Sequence, residues 1–80
     1  MLSQYIQAAM RQAKYEILSD DGSFYGEIPD FQGVYANAAT LEDCREELAE
    51  VLEEWIFLHL SDKTPVPVVD GLKLSVEKVS

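Results

Sequence analysis

From Thr40 to Leu60 the sequence runs without a glycine or proline and repeats its apolar residues at the period of an α-helix; no other segment constrains the fold as strongly. Thr40 is a good N-cap, Asp43 three residues on resembles a capping box, and Glu42 and Asp43 complement the positive helix end. The spacing predicts a helix from Leu41 to about Leu60. Leu41, Cys44, Leu48, Val51, Leu52, Trp55, Leu58 and His59 share one stripe of it, and Glu46, Glu50, Glu53 and Glu54 cover the opposite face, where Phe57 also projects. The stretch Trp55–Leu60 is apolar almost all round, with Leu60 off the main stripe. A helix end of that character is buried on more than one side, which in a small domain favours an oligomer contact.

A long one-sided helix needs a surface to cover, and the preceding residues supply it. Ser3 is a candidate N-cap for a short first helix to about Gln12, with Leu2, Ile6, Ala9, Met10 and Ala13 at helical spacing. The pattern then alternates: Tyr15 and Ile17 point one way, Lys14 and Glu16 the other, as a half-buried strand requires. Ser19-Asp20-Asp21-Gly22 reads as a turn, and Ser23–Ile28 as the second strand of a hairpin, with Phe24, Gly26 and Ile28 on one face. Pro29-Asp30-Phe31-Gln32-Gly33 interrupts the sheet. Val34–Ala39 is extended again, and its small Val34, Ala36, Ala38 face implies close packing by the long helix. Pro65 and Pro67 end the helical run, Asp70-Gly71 is another turn, and Leu72, Leu74 and Val76 alternate with Lys73, Ser75 and Glu77 as a last strand. The expected class is α+β, in the order α-β-β-β-α-β. An antiparallel three-stranded meander carries the long helix on one face, and the last strand returns after a crossover. Residues 1–80 are expected to form a single domain.

Eighty residues sit near the size at which one hydrophobic core is only marginally sufficient. Cys44 is the only cysteine, so no intramolecular disulfide can reinforce it, and Cys44 with His59, fifteen positions apart, falls short of a structural zinc set. Self-association is the remaining route, as a dimer or tetramer. Six Lys+Arg against 15 Asp+Glu give a formal net charge of −9. That balance argues against direct nucleic-acid binding, which needs a basic patch, and against docking on an anionic membrane. It suits a basic protein partner, whose encounter it would speed, or it serves solubility alone. No stretch is apolar enough to span a bilayer, and the first ten residues, with Gln4 and Gln7 and no basic start, do not read as a secretory signal. A cytoplasmic location is expected.

The residues that could carry chemistry are few. His59 lies on the apolar stripe near a helix end without a visible partner group, and Cys44 lies on the same stripe with no neighbouring base, so both read as structural. Asp20 and Asp21 belong to a turn, where Asp serves local hydrogen bonding. No phosphate-loop, dinucleotide or zinc-protease motif is present. No enzyme and no cofactor or metal is expected. Glu46, Glu50, Glu53 and Phe57, spaced i, i+4, i+7, i+11, form one row. Carboxylates closed by an aromatic make a recognition surface for a basic protein with an anchor at its end; the alternative is a solvated face with Phe57 on a sister subunit.

The stretch from Tyr15 to Ile56, with Asp21-Gly22, Ile28-Pro29-Asp30-Phe31-Gln32-Gly33 and Thr40-Leu41-Glu42-Asp43-Cys44 in fixed order, resembles the HicB family, the antitoxins of HicA–HicB toxin–antitoxin modules. The resemblance covers about residues 13–60 and implies a partial RNase H-like fold without that enzyme's activity, because its carboxylate set finds no match here. It implies a HicA-type partner, a small basic mRNA interferase whose catalytic region the antitoxin covers. Two departures stand out. Many HicB proteins carry a C-terminal DNA-binding domain, so this chain is expected to be a short form, and the segment Gly33–Thr40 reads GVYANAAT where the family usually has further glycines.

The first expectation is therefore an antitoxin-like inhibitor with Glu46, Glu50, Glu53 and Phe57 as the partner surface. Trp55, Leu58, Leu60, Leu74 and Val76 are the expected self-association contacts, the last two on an edge strand. A stand-alone oligomeric scaffold or small-ligand regulatory module without a toxin is the alternative. A residual metal-dependent hydrolase using Asp20, Asp21 or the helix glutamates is the third reading.

Overall fold

A computed structural model describes residues 2–72. The elements are α1 (Leu2–Arg11), β1 (Lys14–Ile17), β2 (Phe24–Glu27), β3 (Tyr35–Ala38) and α2 (Leu41–Ser61). The strands form an antiparallel sheet in the order β1-β2-β3. The expected α+β meander under one long helix is what the chain adopts; the expected last strand, with Leu74 and Val76, lies outside the described residues.

Turn chemistry sets the sheet register. Leu18 and Ser23 close the first hairpin through Leu18 N–H to Ser23 O at 2.8 Å, with Gly22 at φ 72° and the Asp21 carboxylate accepting from both the Ser23 amide and hydroxyl. Two cross-strand rows follow on the face away from α2, Lys14–Glu27–Tyr35 and Glu16–Tyr25–Asn37. Asp70 and Gly71 both have positive φ, as a two-residue type I′ turn demands, and Val69 and Leu72 exchange backbone hydrogen bonds across them.

On the other face, α2 lies over β2 and β3. It approaches closely because the strands offer Gly26 and Ala36 beneath it: Cys44 Sγ sits 3.6 Å from the Ala36 carbonyl, and the Tyr15 ring fills the space above Gly26. Cys44, Leu48, Leu52 and Ile56 are the helix residues buried in the core. That row differs from the stripe read in the sequence. It advances by steps of four, each of which drifts about 40° around the helix, so the buried line winds toward α1 and takes in Ile56. Leu58 is left 53 % exposed, and Leu41 is exposed at the other end.

α1 is also turned from its expected face. Tyr5, Ala8 and Ala9 are buried, Ile6 and Met10 are partly buried and Leu2 is exposed. Tyr5 can serve as the anchor because its hydroxyl donates to the Pro67 carbonyl, so its polar tip is satisfied while its ring is covered. Ile17, expected inward beside Tyr15, is 65 % exposed, since it ends β1 at the sheet margin that α2 does not reach.

The interrupting loop, Pro29–Gly33, contributes the largest surprise to the core. Phe31 is fully buried, edge-on to Tyr5 (ring centroids 6.2 Å apart) and to Trp55 (5.0 Å). Its backbone is fixed by Phe31 N–H to Ile28 O at 2.9 Å and Val34 N–H to Phe31 O at 3.0 Å. One loop side chain thus bridges α1 and α2.

Candidate functional site

Helix α2 presents the residues singled out for recognition. Its start is fixed by Thr40, in extended conformation, whose hydroxyl accepts the Asp43 amide at 3.1 Å. The rest of the helix is held by the core row, so the side opposite must face solvent. Glu46, Glu50 and Glu53 are all exposed there, and Phe57 follows one turn on with 67 % of its surface exposed. Glu42, Asp43, Glu47 and Glu54 are exposed as well, and Arg45 is the only lysine or arginine on the helix. A phenyl ring this open makes no large contribution to its own fold.

The topology adds neighbours that spacing along α2 does not reveal. α1 runs beside α2 in the opposite direction: its first residues, Leu2, Ser3 and Ile6, meet Glu53, Ile56, Phe57 and Leu60, and Met10 and Arg11 lie beside Glu42, Asp43 and Glu46. Two open hollows lie along the seam between the helices, an apolar one of about 410 Å³ and a charged one of about 790 Å³; Ile6 lines both, and together they make up the α1–α2 cleft. Glu46, Glu53 and Phe57 form part of its wall. Leu2, Ser3 and Ile6 were missed as site residues, because only the packing of α1 places them there.

The residues expected to mediate self-association are dispersed. Trp55 is engaged within its own subunit, its ring against Phe31, its indole N–H donating to Gln32 O at 3.0 Å, and its other flank stacked on His59 with ring centroids 3.7 Å apart. Leu58 is exposed and Leu60 is half-buried at the apolar end of the cleft. Leu74 and Val76 lie outside the described residues.

The groups considered for catalysis have local partners. His59 Nδ1 lies 2.9 Å from the Trp55 carbonyl, and its own carbonyl accepts from the Thr64 amide and hydroxyl. Hydrogen bonds from the Ser23 hydroxyl and amide hold the Asp21 carboxyl below its ordinary range. Burial pushes the Cys44 thiol up, and the charge of Glu47 adds to that, so the thiolate is disfavoured. Among the described residues no cluster of three or more His, Cys, Asp or Glu could hold a metal ion. No helix there is long and apolar enough to cross a membrane.

No curated protein matches the chain. In structure it is similar to TTHA0281 from Thermus thermophilus, whose crystal structure superposes with a TM-score of 0.88 at 32% sequence identity over 96% of this chain and 95% of that one. A likeness that spans both chains almost end to end concerns the whole architecture and not one shared motif. The family model described as UPF0150-like matches residues 4–67, from the first turn of α1 through the segment that receives the Tyr5 hydroxyl, and the chain belongs to that family.

Proposed function

We propose that this chain is an antitoxin-like binding protein of the HicB type that inhibits a small, basic mRNA interferase of the HicA type by covering its catalytic surface. The observation that carries the reading is the exposed row Glu46, Glu50 and Glu53, closed by an exposed Phe57. A ribonuclease gathers its polyanionic substrate with cationic side chains. A helix that presents carboxylates on successive turns competes for those same side chains, and an aromatic at its end adds an apolar anchor. The formal charge of −9 favours the encounter at long range. Membership of the UPF0150-like family and the ordered HicB-like motifs support the same assignment. Self-association would use the exposed Leu58 at the far end of α2, outside the acidic row.

The test is binding to the product of a small basic open reading frame beside the gene. Replacing Glu46, Glu50 and Glu53 together by Lys should abolish complex formation in calorimetry and release ribonuclease activity, with an unchanged circular dichroism spectrum. Unchanged affinity in that variant would remove this surface from consideration.

A further inference from the structure

The cleft between α1 and α2 is amphipathic along its length, and nothing in the described fold fills it. At one end Leu2, Ile6, Ile56, Phe57 and Leu60 line an apolar recess of about 410 Å³, with Glu53 at its rim. Toward the other end the α2 wall carries Glu42, Asp43 and Glu46 above a floor that includes Ile6 and Met10. Two cations also border that end. Arg11 lies 3.6 Å from Asp70, whereas Arg45 lies beside the neutral Tyr15 hydroxyl and keeps its charge, so among the described residues one uncompensated cation stands against the three carboxylates Glu42, Asp43 and Glu46. The distance along α2 from Phe57 to Glu42 is about 22 Å at 1.5 Å per residue, the length of a four-turn helix.

We infer that this cleft seats one amphipathic helical segment of the partner, with an apolar residue in the Phe57 recess and lysines or arginines along Glu53, Glu46, Asp43 and Glu42. Charge complementarity selects the occupant. A second copy of this chain, itself at −9, would set like charges against the acidic wall, whereas a basic segment neutralises it and buries the recess. The identification of that segment's owner as the toxin rests on the antitoxin reading; the chemistry of the cleft does not.

The experiment titrates the intact protein with an acetylated, amidated 15-residue peptide that has two leucines at one end and lysines along one helical face. A scrambled peptide of equal charge is the control. The designed peptide should bind and the scramble should bind more weakly. Ser3→Trp, which fills the recess from an exposed position, and Phe57→Ala, which opens its wall, should each weaken binding by about tenfold or more with unchanged circular dichroism. Equal binding of the two peptides, or full affinity in Ser3→Trp, would overturn the inference. So would a change of oligomeric mass in Ser3→Trp, which would give the cleft to a second copy. If the toxin binds while the peptide does not, the cleft assignment fails alone. If the peptide binds in the cleft while the neighbouring basic protein does not bind, the antitoxin reading fails alone.

Discussion

Gly26 shows how much of this domain turns on single positions. It sits in the middle strand, under both the Tyr15 ring and the start of α2. A Cβ placed there would lie 2.7 Å from Tyr15 Cε1 and 3.2 Å from Cys44 Sγ. The first distance is inside van der Waals contact, so the ring must move, and its displacement is resisted by the helix above it. Gly26→Ala should cost about 1–3 kcal/mol, the usual penalty for overpacking, measured by urea unfolding. In a Tyr15→Leu background the same substitution should cost less, because the two sites share one space. Equal costs in both backgrounds would mean that the ring is not what the methyl meets.

At the scale of elements, the loop Pro29–Gly33 acts as a keystone without being regular structure. Phe31 joins α1 through Tyr5 to α2 through Trp55. Phe31→Ala should remove about 3–5 kcal/mol, a large part of what a domain of this size possesses, and a urea titration followed by far-UV circular dichroism will read it. The sequence announces this loop only as an interruption, since a lone aromatic between a proline and a glycine belongs to no periodicity. By contrast α2, its Thr40 cap and both Asp-Gly turns are legible in advance, because their determinants lie within a few residues of one another. The strands are legible by alternation, apart from Ile17, whose exposure depends on where α2 stops covering the sheet. Tyr5 and Ile56 escape for a related reason. Which flank of a helix turns inward is decided by its neighbours, and a periodic pattern fixes the width of a stripe better than its angle. The candidate row Glu46, Glu50, Glu53 and Phe57 can be read from spacing alone, but its α1 companions cannot.

The whole molecule is an acidic body with one helix face far more acidic than basic, and the consequences are kinetic before they are energetic. For the basic partner proposed above, the association rate should fall by about tenfold or more as ionic strength is raised from ~0.05 to ~0.5 M, with the dissociation rate changing much less. Stopped-flow mixing at several salt concentrations measures both, and an association rate insensitive to salt would take electrostatic steering out of the account. The aromatic seam in the interior has a different consequence. Trp55 is the single tryptophan of the chain, and its indole is tied to the loop carbonyl of Gln32 while resting against Phe31 and His59. The protein therefore contains its own fluorophore at the junction of loop and helix, and the wavelength and yield of its emission give a label-free gauge of whether that junction is closed.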